Sequence, residues 1–165
     1  MIILFGFPCC GKTSVGKRVS ELLQCPFIDT DQEIEKIWNQ KCHALARERG
    51  LAFFREEEEK MVSSLQPIQP SVISLGGGAI LNAKNYDYLK NLGRLIYLYA
   101  PFPVLAERNL ARNPLPTYID SGDPYGSLQR LYESREPLYR QKAQSLIETT
   151  DLTIEDIARN VLHGQ

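Results

Sequence analysis

Residues Met1–Ser20, MIILFGFPCCGKTSVGKRVS, decide how the rest of the chain is read. The apolar run Ile2–Phe5 meets Gly6-Phe7-Pro8-Cys9-Cys10-Gly11-Lys12-Thr13, after which Val15, Val19, Leu22 and Leu23 recur at helical spacing. This pattern predicts a strand, a glycine-bounded loop and a helix. The spacing G-x-x-x-x-G-K-T is that of a P-loop, and each residue type has a chemical reason to be there. Glycine lets the backbone bend so that successive N–H groups face a polyphosphate, and the following helix adds its positive end. Pro8, Cys9, Cys10, Gly11, Lys12, Thr13 and Ser14 are therefore the candidate nucleotide-binding residues. Lys12 is expected at the outer phosphates. The Thr13 hydroxyl suits a magnesium ion, which takes oxygen ligands and keeps several waters.

Working outward, 165 residues are expected to form one domain with a real core. A formal net charge of -1 gives no electrostatic reason to expect nucleic acid or an anionic membrane as partner. No apolar stretch approaches the ~18 residues of a spanning helix, and the N-terminal run lacks the basic start of a signal peptide. A cytoplasmic protein is the expectation. Cys9, Cys10, Cys25 and Cys42 do not have zinc-ligand spacing, and Cys9 and Cys10 read as small residues filling a tight loop.

Pro26-Phe27-Ile28-Asp29 predicts a second strand that ends at Asp29-Thr30-Asp31, followed by a helix through Ile34, Ile37 and Trp38. Gly50 interrupts the helical pattern. A further helix from about residue 52 to 66 carries Phe54, Met61, Val62 and Leu65 on one side and is stopped by Pro67 and Pro70. Ser71–Leu75 reads as a third strand closed by Gly76-Gly77-Gly78, Asn82 as a helix cap, and Arg94–Tyr99 as a buried parallel strand. Residues 101–112 predict a helix, 113–124 a turn-rich segment, 125–143 a long helix, 146–148 a fifth strand and 154–162 a closing helix. Strands separated by helices imply an α/β fold with a parallel sheet covered on both faces, whose function gathers at the carboxyl ends of the strands. That rule brings the P-loop, Asp29–Asp31 and Gly76–Gly78 into one neighbourhood.

If the second strand persists through Asp31, Asp29 and Asp31 project to one face. One carboxylate could hold a metal-bound water while the other orients an attacking hydroxyl. Arg55 is expected to make an ordinary i,i+4 pair with Glu59, although Arg55 and Glu58 also share a helix face. Three consecutive glycines suit backbone N–H groups that approach a ligand closely. Arg108, Arg112, Arg130, Arg135 and Arg140 cluster around the turn-rich segment, which has the length of a lid, and spacing alone does not sort them. His43 and His163 carry no chemistry.

The P-loop, Asp29-Thr30-Asp31, Phe54-Arg55 with Glu58, Gly76-Gly77-Gly78 and Arg135-Glu136-Pro137-Leu138-Tyr139 together resemble the shikimate kinases, in the same order and over nearly the whole chain. The resemblance implies a three-layer P-loop kinase fold of the nucleoside-monophosphate-kinase type, with a central five-stranded parallel sheet flanked by helices. It implies transfer of the ATP γ-phosphoryl group to the 3-hydroxyl of shikimate, a step of aromatic amino-acid (chorismate) biosynthesis, with ATP and Mg2+ required and a monomer as the working state. It also implies site roles: Lys12 and Asp31 in catalysis, Thr13 and Asp29 at the metal, and Arg108 on the adenine, while Arg112 is the candidate to supply the lid's catalytic charge. Asp31, Arg55, Glu58, Gly76, Gly77, Gly78 and Arg135 would bind shikimate, within a substrate region of about 31–61 and beneath a lid of about 112–124. Two departures stand out. Cys9 occupies a position where the family usually has glycine, and Asn113-Pro114-Leu115-Pro116 replaces the family's R-P-L-L, so that either Arg112 takes over the lid arginine's contact or the contact is lost. A kinase for another hydroxy acid, such as gluconate, and a non-catalytic nucleotide-binding module are the alternatives.

Overall fold

Ile3, Leu4 and Phe5 have no exposed surface, as expected of the central strand of a sheet covered on both faces. The computed structural model describes residues 1–66 and 70–164. Strand β1 (Ile2–Phe5) leads through the P-loop into α1 (Lys12–Leu23), and β2 (Phe27–Asp29) leads directly into α2 (Thr30–Trp38). Helices α3 (Cys42–Arg49) and α4 (Leu51–Ser64) follow, and then β3 (Val72–Ser74), a short 3-10 turn (Ala79–Leu81) and α5 (Ala83–Leu92). Strand β4 (Arg94–Tyr99), α6 (Phe102–Leu110), α7 (Pro124–Lys142), β5 (Ser145–Glu148) and α8 (Ile154–His163) complete the chain.

The strands form a five-stranded sheet in the order β2-β3-β1-β4-β5, with every neighbouring pair parallel. β1 pairs with β3 on one side and β4 on the other, so the chain departs from the centre in both directions. A crevice opens at the carboxyl end of such a strand, and the P-loop lies there. The expected fold class, strand order of appearance and helix caps hold: Asn82 accepts from the N–H groups of Lys84 and Asn85 to start α5. Among the described residues no helix is long and apolar enough to cross a membrane, and all four cysteines are free.

Three helical expectations need correction. Phe54, Met61, Val62 and Leu65 do not share one side: Val62 and Leu65 join the main core on the sheet, whereas Phe54 and Met61 join a second cluster. That cluster is built on Ile34, Leu45 and Phe54 with Trp38, Cys42, Ala46 and Phe53, and it gives α2, α3 and α4 a core of their own. Helix α4 ends at Ser64, before Pro67, which lies outside the described residues. Helix α6 ends at Leu110, so Arg112 belongs to the connecting segment and not to the helix.

Candidate active site

Gly6 (φ 148°) and Gly11 (φ 99°) bound the P-loop in backbone conformations that favour glycine, and a Cβ on Gly6 would lie 2.5 Å from the Leu98 carbonyl oxygen. Between them Cys9 adopts φ 66°, in the left-handed region. The loop therefore keeps a glycine-like turn at Cys9 and tolerates the side chain at a cost of about 1 kcal/mol. Lys12 Nζ donates to the carbonyl oxygens of Gly6 (3.1 Å) and Phe7 (3.2 Å), which folds the ammonium back over the cradle. The Cys10 side chain is buried in the core beneath the loop, and its N–H turns back to Phe7 O at 3.3 Å. Ser14 is exposed on α1.

Thr13 Oγ1 donates to Asp29 Oδ2 at 2.7 Å, joining the start of α1 to the end of β2. Asp29 also caps α2 by accepting from Gln32 N at 3.3 Å. The cap ends the strand at Asp29, so the expectation that Asp29 and Asp31 project from one strand face is wrong: Asp31 sits in the first turn of α2. Side-chain oxygens of Asp and Thr at a chain reversal compete with the ladder for backbone N–H groups, and here the helix cap wins. Hydroxyl and carboxylate oxygens make a donor set that fits magnesium. No group of three or more His, Cys, Asp or Glu among the described residues could hold a metal alone, so an ion here would draw on phosphate and water for the remaining ligands.

Asp31 is the most perturbed carboxyl group of the site. Burial raises its pKa to about 7, reinforced by Glu58 and Asp29 and opposed by Lys12. Asp31 Oδ1 is buried with no hydrogen-bond partner among the described residues. A Cβ on Gly76 would fall on that oxygen, and one on Gly78 would fall on the Arg55 guanidinium. None of the three glycines has a positive φ, so Gly76 and Gly78 leave room for functional side chains in place of supplying an unusual turn. The Gly76 N–H is already engaged, donating to the buried Thr30 hydroxyl at 2.9 Å.

Arg55 pairs with Glu58, not Glu59. Glu59 instead accepts from Lys84 (3.0 Å) and Asn82 (3.1 Å). Glu58 is 3% exposed, and burial raises its pKa while Arg55 and Arg135 oppose the rise. Tyr139, fully buried on α7, donates to the Gly77 carbonyl. Burial lifts its hydroxyl to about 12, with the neighbouring Arg135 opposing. The other arginines now sort themselves. Arg130 is paired with Asp123 (3.0 Å), and Arg140 with Glu136 while lying 4.7 Å over the Tyr99 ring. Arg108 is exposed and donates to Cys9 O at 3.3 Å, outside the cavity.

A cavity of about 970 Å³ joins these pieces, of the size that takes small ligands. Pro8, Cys9, Lys12, Thr13 and Asp29 line one part; Asp31, Arg55, Glu58, Gly77 and Gly78 line another; Arg112 and Arg135 face in from the last third of the chain. Thr30 and Asn109, both buried, hold these elements together and were missed in the sequence. Thr30 lay between two conspicuous aspartates, whereas Asn109 had no signal beyond its place next to Arg108.

The family model described as "SKI: Shikimate kinase" matches residues 8–164. A shikimate kinase of Thiobacillus denitrificans is 33% identical over 166 residues, spanning 99% of this chain and 88% of that protein. The structure of a shikimate kinase from Acinetobacter baumannii in complex with shikimate superposes with a TM-score of 0.91 at 33% identity, over 98% of this chain and 90% of that one. A gluconokinase from Sinorhizobium meliloti, with a TM-score of 0.65 at 22% identity over 99% of this chain and 89% of that one, shares the fold. One third identity from end to end, on a sheet that superposes throughout, leaves one assignment: the chain belongs to the shikimate kinase family.

Proposed function

We propose that the chain transfers the γ-phosphoryl group of ATP to the 3-hydroxyl of shikimate, giving shikimate 3-phosphate and ADP for aromatic amino-acid biosynthesis. The observation that carries the residue-level reading is one cavity lined by the P-loop, by Arg55 and Arg135, and by Asp31, whose Oδ1 has no hydrogen-bond partner among the described residues. Lys12 and the loop N–H groups hold the phosphates. Arg55, fixed by Glu58, and Arg135, beside Tyr139, present rigid forks to a carboxylate. These contacts orient the ring so that its hydroxyl meets Asp31. The hydroxyl oxygen bonds to the γ-phosphorus as the bond to the bridging oxygen breaks. The hydroxyl proton passes to Asp31, whose pKa near 7 suits a base working near neutrality. Arg112 contributes positive charge at the transferring group.

Thr13 and Asp29 are the residues that would hold magnesium, Asp29 through water. Bound there, the ion would neutralise charge that develops on the phosphates. A monomeric catalyst working in the cytoplasm completes the proposal. ADP release is to be measured with shikimate, with gluconate and with no acceptor. Turnover with shikimate alone is expected, and its absence would sink the proposal. Asp31→Asn should abolish most of that turnover while leaving shikimate binding within a few fold.

A further inference from the structure

The segment between α6 and α7 is held by more than its apolar contacts. Ile119 is buried in the main core, Pro116 is buried beside it, and Leu115 and Tyr118 pack on that core. Tyr118 then points its hydroxyl at Asn109, a residue of α6 with no exposed surface. A carboxamide offers two N–H donors and an oxygen with two lone pairs, and all four are engaged here. Asn109 Nδ2 donates to Leu105 O (2.8 Å) and to Pro8 O (3.1 Å). Its Oδ1 accepts from the Tyr118 hydroxyl (2.7 Å) and from the Cys9 thiol (3.4 Å). The two carbonyl partners fix which way the amide points, and so fix Tyr118 as the donor. One buried side chain thus joins α6, two consecutive residues of the P-loop and the connecting segment.

We propose that Tyr118, through Asn109, is a positioning residue that docks the connecting segment on the P-loop and sets Arg112 over the phosphate site. The inference rests on the phosphoryl-transfer reading and adds to it a cause for the placement of Arg112. That arginine is exposed just past the last turn of α6, where its N–H turns back to Asn109 O at 3.3 Å, so its backbone is tied to the same asparagine that takes the Tyr118 hydroxyl. Arg112, Thr117 and Tyr118 line the same cavity as Lys12 and Thr13. Burial lifts the Tyr118 hydroxyl to about 12 while Arg112 and Arg135 oppose the rise.

Tyr118→Phe keeps the ring and its packing and deletes only the donor. In ADP-release kinetics it is expected to lower kcat about five- to tenfold with the shikimate KM within about twofold, because the loss is confined to the phosphate side. Arg112→Ala should lower kcat by at least as much. The deciding measurement is the double variant, which should be no slower than Arg112→Ala alone, since Tyr118 acts through Arg112. A residue that merely stabilised the fold would impair both backgrounds equally. Wild-type kcat in Tyr118→Phe, or losses that multiply in the double variant, would overturn the latch. Failure of the underlying reading is distinguishable: the wild type would then show no shikimate-dependent turnover, or Arg112→Ala would keep its full rate.

Discussion

Replacing Asp31 by Asn should make the ligand-free protein more stable at alkaline pH than the wild type, even as it removes activity. The buried Asp31 carboxyl has its pKa raised from 3.8 to about 7 by burial, Glu58 and Asp29. Over that window the native state holds a proton that the unfolded chain has released, so the stability due to this group is full below the unfolded value and is lost as pH rises. The displacement corresponds to about 4 kcal/mol at roughly 1.4 kcal/mol per pH unit, more than half of which falls between about pH 5 and about pH 8. Asparagine is neutral throughout and carries none of this slope. The assay is denaturant unfolding of both proteins from about pH 5 to about pH 8, followed by the fluorescence of Trp38, the single tryptophan, which packs in the second core cluster. The difference between the two proteins isolates Asp31 from the other groups that titrate. A difference that stays flat across this range, or one that shrinks as pH rises, would refute the assignment of an uncompensated buried carboxyl at this position.

Arg135→Ala is expected to raise the shikimate KM about tenfold or more, with a smaller effect on ATP, because Arg135 stands beside Glu58 and Tyr139 on the acceptor side; equal effects on both substrates would count against that placement. Gly78→Ala should raise the shikimate KM severalfold because its methyl group displaces the Arg55 guanidinium, whereas Gly77→Ala, which meets Pro8 Cδ at 3.4 Å, should be mild; the two variants compared by initial rates test this order. Thr13→Ala should increase the magnesium concentration needed for half-maximal ADP release, since it removes the hydroxyl that now bonds to Asp29 at 2.7 Å; an unchanged magnesium dependence would remove Thr13 from the metal site.

The order and class of the elements were legible because each strand of this sheet is a short apolar run bounded by turn residues, and because the P-loop marks its own strand and helix. The triple glycine was legible as important but not for its reason. Its φ angles are ordinary, and what it supplies is space for side chains that arrive from α2 and α4. Spacing could not choose between Glu58 and Glu59 as the partner of Arg55, since both lie within helical reach. Burial decided it by taking Glu58 into the site and leaving Glu59 to the side chains of Lys84 and Asn82. Asp31 was legible as a carboxylate of the site, while its setting depended on whether Asp29 ended a strand or capped a helix. Asn109 left no pattern at all, because its four partners are distant in sequence or belong to its own helix backbone.

The second apolar cluster has a consequence for how the molecule opens. Ile34, Leu45 and Phe54 are packed among α2, α3 and α4, apart from the cluster that covers the sheet. Val62 and Leu65 hold the end of α4 on the larger interior, so α2, α3 and the first turns of α4 can loosen around the small one while that end stays packed, and their amides should exchange with solvent before those of β1 and β4. Asp31, Arg55 and Glu58 all ride on this unit, whereas the P-loop is anchored to the sheet. The side that reads the acceptor can therefore breathe, and over longer times be rebuilt for a different acid, while the side that holds the nucleotide stays as it is.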